Sequence, residues 1–499
     1  MAVAAVAALV LTALAVLAGG AQSAPGQPAA NLDQCRNGGF PGTAPCTGSN
    51  WVNGNAGAAN AHYVEGYSIP YRAVLTNLPT DGTVIELTLG YDSKHSDKHA
   101  LDFLTHFDRL EPHAPFGHAA EDVDPTSGVS GLGGPTTTLA IPEPSSAGSP
   151  VAGQPGTRFN ALPAGERLMT LFGGTLTTIE YDTQGDLTAA QSETRVTVSF
   201  TAQSDTAVLS WGAHIARSTD WGALNSASVI NGSPYHMRLI DWNLNNLGNQ
   251  DRSLSAGAVF GMITIAKTAV GGDGTFGYTT TGANGLPSSF DITTSGGSGS
   301  AVYAIVGGKT YTVTEASLPA GWDFDDLECS DPTSNSTVDL GTRTATIVAN
   351  NGESITCTFT NRKQPKLTLV KQVVNDSGGT AEASAWTLTA SGPTGFSGSG
   401  PSVSSGAGFG PGTYDLSEAG PDGYDASAWV CSAGQVDGDT VSVAFGDDIT
   451  CTITNDDQPA KLVVIKTVVN DNGGTKLASD FALEVSGNAP SPASFAGAA

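Results

Sequence analysis

Residues 355–361 read ITCTFTN, and residues 449–455 repeat them as ITCTITN. As β-strands, both stretches alternate their side chains between two faces. Cys357, Phe359 and Asn361 then share one face, as do Cys451, Ile453 and Asn455. A half-buried strand turns its Phe or Ile inward, so each Asn must enter the core too. A buried amide is costly unless something bonds it. Two further strands of each copy supply partners on their own inward faces. Ile263, Ile265 and Lys267 fall in phase, as do Leu367, Leu369 and Lys371. Tyr311, Val313 and Glu315 repeat as Tyr414, Leu416 and Glu418. Burial drives a lysine toward its neutral, nucleophilic amine and a glutamate toward its protonated acid. A protonated carboxyl polarises the Asn carbonyl, and attack by the amine expels ammonia. The product is a Lys–Asn isopeptide bond, formed once within the fold rather than by turnover.

Each residue also has a plainer reading. The lysines could guard edge strands against aggregation, the glutamates could be surface acids before a turn, and the asparagines could end a strand. The recurrence of all three in phase, twice, is what points to a crosslink. The six cysteines form three close pairs, Cys35/Cys46, Cys329/Cys357 and Cys431/Cys451. Each Asn follows its Cys by four residues in both copies. No pair has C-x-x-C spacing, so disulfides in an oxidising compartment are expected rather than zinc. Loop closure gives each about 3–4 kcal/mol.

Such residues need β-modules to hold them. Of the 499 residues only 14% are charged, with net charge −26; Gly and Pro are abundant. That is a turn-rich, all-β composition. The acidity excludes nucleic-acid binding, which needs clustered Lys and Arg. Self-similarity is clearest between the 27 residues from Lys366 and those from Lys461, where Trp386 aligns with Phe481 and Lys371 with Lys466. A looser copy, MITIAKTAVGGDGTF, places Lys267 in the same slot. The expected organisation is a signal peptide over 1–23, a large N-terminal head β-sandwich over 32–259, modules over 261–362 and 365–457, and the start of a further module over 461–499. The apolar run 2–19 followed by small residues reads as a cleaved export signal, with a membrane anchor as its rival. The chain stops within its last repeat, so a missing C-terminus carrying a cell-wall attachment is expected.

TVTEASLPAGW (312–322) and DLSEAGPDGY (415–424) resemble the T-E-x-x-P-x-G-Y signature of prealbumin-like, collagen-adhesin B-type (SpaA-like) repeats, found in pilins and surface adhesins of Gram-positive bacteria. The resemblance covers about half the chain, from Gly261 onward. It implies tandem Ig-like sandwiches without cofactors. Carried over by position, it also implies crosslinks within the sets Lys267, Glu315, Asn361 and Lys371, Glu418, Asn455. The paired cysteines depart from many such modules, and a disulfide could stand in for the isopeptide. The opening of the head, including 63–66 and 70–72, is similar to a domain that often precedes such repeats and has no established activity.

Seven strand-like runs recur in the head, at 71–75, 84–89, 168–171, 176–181, 196–200, 207–211 and 235–240. Residues 98–106 are expected to form one or two helical turns, and 124–165 a long surface excursion. His95 with His99, or His99 with Asp102, would share a side of that helix and could hold a metal; the competing expectation is a solvated polar loop with no metal. Trp211, His214, Asp220, Trp221 and His236 could line a pocket for an extracellular protein or glycan. The function expected is structural or adhesive, with a head displayed on a stalk of stapled modules and no enzymatic turnover. The alternative from another class is a secreted glycan-binding or metal-dependent carbohydrate-active protein whose site lies in the head.

Overall fold

The computed structural model describes residues 26–222, 224–230, 234–280, 285–316, 318–487 and 490–497. The expected export signal lies outside the described residues. Among those described, no helix is long and apolar enough to cross a membrane. Strands dominate, as the Thr, Val and turn-residue content dictates. The chain divides into two compact units, 1–362 and 363–499.

The head packs two antiparallel sheets face to face. One runs Trp51–Val52, Ala29–Cys35, Ser68–Thr76, Thr206–Ile215, Leu168–Phe172, Thr136–Ala140, with Leu101–Thr105 also pairing to Thr206–Ile215. The other runs Gly174–Thr183, Ser192–Ala202, Val84–His95, Tyr235–Trp242, Gln250–Leu254. All seven expected runs lie in these strands. Their inward residues, including Leu32, Tyr71, Leu87, Phe103, Val198 and Trp211, form one core.

Two expectations fail here. Residues 98–106 are not helical: Lys98–His99 and Leu101–Thr105 are strands, and the latter is buried throughout. The polar residues in it misled the pattern, because Asp102 is satisfied inside the core and need not face water. Residues 124–165 are more than a surface excursion. Thr136–Ala140 adds a strand to the sheet, and Ile141, Phe159 and Leu162 reach the core.

No linker follows the head. Strand Val259–Val270 pairs with Tyr63–Val64 of the head at its start and continues into the first repeat. One sheet of that repeat has the order Ser298–Ile305, Val259–Val270, Ser354–Lys363, Trp322–Ser330. The facing sheet has the order Ser289–Thr293, Thr275–Thr280, Lys309–Glu315, Thr344–Ala349, Thr337–Asp339. In the second repeat the corresponding order is Ser402–Ser404, Lys366–Val374, Asp448–Asp457, Tyr424–Ala426, facing Phe396–Ser399, Thr387–Ser391, Gly412–Ala419, Thr440–Val443. In both repeats the opening and closing strands are parallel neighbours. A parallel pair needs a long crossover, and here the whole module is that crossover.

Candidate functional site

The parallel register decides the geometry of each site. Lys267 lies opposite Phe359, and Asn361 is two residues further along the closing strand. Lys371 lies opposite Ile453, with Asn455 two residues on. Two residues along and one strand across put the two Cα atoms roughly 8 Å apart with both side chains inward. A lysine stem spans most of that gap. The lysines are not edge residues, because each opening strand has a neighbour on both sides.

In the first repeat, Glu315 arrives from the facing sheet. Lys267 Nζ donates to Glu315 Oε1 at 2.7 Å, and Asn361 Nδ2 donates to the same oxygen at 2.9 Å. The side chains of Lys267 and Glu315 are 0% and 1% exposed. Glu315 Oε2 and Asn361 Oδ1 are buried without hydrogen-bond partners. A half-turn of the amide exchanges its nitrogen and oxygen. The Asn carbonyl then faces a carboxyl that can donate to it once protonated. Phe276 covers the amine, its ring centre 4.3 Å from Lys267 Nζ. Burial pulls the Lys267 ammonium down to about 8, against the opposing pull of Glu315. A proton moved from Nζ to Glu315 along their hydrogen bond leaves a neutral amine beside a polarised amide.

The second repeat reproduces the set less tightly. Lys371 Nζ donates to Glu418 Oε2 at 2.7 Å, and Asn455 is buried with its Oδ1 unpartnered. Trp386 covers the amine at 4.7 Å. Burial lowers the Lys371 ammonium, and Glu418 opposes it. In the final segment Lys466 Nζ lies 4.4 Å from the Phe481 ring centre. The aromatic over each lysine was missed as a site residue. Its signal was the repeated slot that aligns Trp386 with Phe481 and ends the run at Phe276.

All three cysteine pairs are disulfides: Cys35–Cys46, Cys329–Cys357 and Cys431–Cys451. The last two tie the closing strand of a repeat to the strand beside it.

The head residues singled out from sequence do not form one pocket. Trp211 is buried and stacks on Tyr71. His214 Nδ1 meets Asp102 Oδ2 at 2.9 Å, and Trp221 Nε1 donates to Asp102 Oδ1 at 2.8 Å. Burial holds the His214 imidazole well below its usual range and Asp102 well above its own. Asp220 takes a bidentate bond from Arg217. His236 belongs to the other sheet and bonds Asp251. These residues read as polar only because their satisfaction lies in tertiary contacts. The pairs weighed for a metal do not sit on a helix either. His99 is buried and stacks on Trp221 while His95 lies near Asp92, so the segment is neither a ligand-bearing helix nor a solvated loop.

Residues 263–363 match the prealbumin-like fold domain family of SpaA type, and residues 363–453 and 457–498 match a second such family with the same description. No curated protein sequence matches the chain. Among solved structures, the major pilin T-13 of Streptococcus pyogenes is 13% identical, matched over 40% of this chain and 97% of its own, with TM-score 0.17. The Bacillus anthracis TIE protein is 11% identical over 80% of this chain and 57% of its own, with TM-score 0.20. A C-terminal fragment of pilus adhesin SpaC from Lactobacillus rhamnosus GG is 14% identical over 41% and 100%, with TM-score 0.18. From residue 263 onward, prealbumin-like fold domains of SpaA type match the chain in tandem.

Proposed function

We propose that this is an exported surface protein of structural or adhesive function, its head displayed on a stalk of prealbumin-like modules that crosslink themselves. It performs no catalytic turnover. What supports this reading above all is the buried meeting of Lys267, Glu315 and Asn361 from three separate strands. A lysine, an acid and an amide that share one dry corner have little use there except to react. The amine attacks the Asn361 carbonyl carbon, the carboxyl shuttles the proton, and ammonia leaves. The new bond joins the opening strand to the closing strand, so pulling on a module's two ends loads a covalent link instead of peeling strands apart. The same chemistry is assigned to Lys371, Glu418 and Asn455.

Intact mass of the purified chain, reduced and alkylated, tests this. Each crosslinked module lacks the mass of one ammonia. Glu315→Ala should restore one ammonia, and Glu315→Ala with Glu418→Ala should restore both. A full calculated mass for the unsubstituted chain would defeat the crosslink. Surface labelling of intact cells with an antibody to the head, set against lysed cells, tests export and display. Signal only after lysis would sink that part.

A further inference from the structure

Beside the junction of the head with the first repeat, the loop 111–121 brings Glu111, His113, His118 and Glu121 onto His62. His62 Nε2 lies 2.9 Å from His118 Nε2, 3.2 Å from Glu121 Oε1 and 3.4 Å from Glu111 Oε1. His118 Nε2 lies 3.7 Å from the same Glu121 oxygen. Four donors bound at about 2.0–2.1 Å around a tetrahedral zinc ion lie roughly 3.3–3.4 Å apart. The three separations among His62, His118 and Glu121, at 2.9, 3.2 and 3.7 Å, scatter around that edge length.

The protons fix the argument. His62 Nδ1 lies 2.7 Å from the Gly38 carbonyl, and His118 Nδ1 lies 2.9 Å from the Ala119 carbonyl. Only an N–H can meet a carbonyl, so in the neutral rings both protons sit on Nδ1. Both Nε2 atoms then aim lone pairs at each other and at two carboxylates. That is repulsive among themselves and suited to a cation. Backbone-fixed imidazoles of this kind are what orient metal ligands. The acids are held in turn. Thr43 Oγ1 donates to Glu121 Oε1 at 2.7 Å, His113 Nδ1 meets Glu121 Oε2, and Asn37 Nδ2 donates to Glu111 Oε1 at 2.8 Å. The side chains of His62 and Glu111 are fully buried, and Glu111 Oε2 has no hydrogen-bond partner. Glu121 as a ligand, with Glu111 beside His62, places the negative side chains around that point where a cation would sit.

We propose that His62, His118 and Glu121 bind one divalent transition-metal ion, zinc by ligand type and geometry, with Glu111, His113, Thr43 and Asn37 as its supporting shell. The ion ties loop 111–121 to the segment 37–62. Phe116, in that loop, packs on Phe260 of the strand shared with the first repeat. The ion therefore stiffens the joint between head and repeat. None of this depends on the isopeptide chemistry.

The test uses the full chain, stripped with chelator and titrated with zinc chloride or cobalt chloride. A single equivalent of zinc should bind, raise the melting temperature, and give tetrahedral cobalt absorption when cobalt replaces it. His118→Gln and Glu121→Gln should each weaken binding at least tenfold, and Thr43→Ala about tenfold through the supporting shell. His236→Gln, at the distant Asp251 pair, should bind as the unsubstituted chain. X-ray absorption of the zinc-loaded unsubstituted chain should show imidazole and carboxylate ligands, a readout independent of whether any variant folds. The proposal falls if the chain, folded by near-ultraviolet circular dichroism, takes up no stoichiometric metal. It falls too if His118→Gln and Glu121→Gln bind unchanged.

Discussion

The two Lys–Glu–Asn sets occupy matching slots in closely related topologies, yet one is closed and the other is partly wet. Glu315 is 1% exposed and holds both Lys267 and Asn361, whereas Glu418 is 12% exposed and holds Lys371. The difference traces to neighbours across the sheet. Tyr278 lies directly opposite Glu315, while Leu388 lies opposite Glu418. Directly opposed side chains share a face and touch. Tyr278 also meets Phe359 edge-on, and the position matching Phe359 in the second repeat is Ile453. Each lysine lies under an aromatic ring, but at these two further positions aromatics flank the first set where aliphatic residues flank the second. In the proposed crosslinking, desolvation supplies the neutral amine, so the rate should depend on residues that take no part in the reaction.

This comparison can be broken in four ways. The largest effect is expected from removing a crosslink. Asn361→Ala and Asn455→Ala each reopen a loop of nearly the whole module, worth about 4–5 kcal/mol by loop-closure entropy. Denaturant unfolding in reductant should show the larger loss for Asn361→Ala, because the drier set reacts more completely. Equal losses would mean that dryness does not limit the reaction.

Next come the disulfides. Reducing Cys329–Cys357 in the Asn361→Ala chain should cost about 3–4 kcal/mol. In the crosslinked chain it should cost less, since the ends of the module are already joined. An identical cost in both would argue that the two staples act independently.

A smaller effect should come from the flanking residues. Tyr278→Leu makes the first repeat resemble the second, and about one unit of recovered Lys267 basicity slows crosslinking near neutral pH about tenfold. Time-resolved intact mass after refolding reads this directly. An unchanged rate would remove Tyr278 from the explanation.

A further effect is a pH dependence. In Asn361→Ala, Lys267 stays free, with its folded value lowered to about 8 from the ordinary 10.5. Between those values the unfolded chain holds a proton that the folded chain has released. Stability of this variant should therefore rise with pH across that window relative to the crosslinked chain. A flat difference between the two would show that Lys267 is not desolvated.

Much of the repeat architecture was legible because strand patterning is local. Alternation put Cys357, Phe359 and Asn361 on one face, and burial of all three follows from that period. Pairing of Lys267 with Glu315 was legible for a second reason, since two copies printed the same polar slots in phase. The head was less legible. Asp102 and His99 read as solvent-facing because nothing nearby in sequence announces Trp221 and His214 as their partners. The pairs weighed for a metal, at 95–102, lie outside the cluster around His118. His62 lies about fifty residues upstream, and only the fold carries it to Glu111 and Glu121.

By itself the sequence determined the all-β modules, the inward phase of each Lys, Glu and Asn, and the cysteine pairs, because each of these depends on spacing along one strand or on repetition. Only the tertiary structure decided which set is sealed from water and which head histidines converge. Those outcomes depend on what stands across a sheet or beneath a loop, and such contacts have no period in the chain.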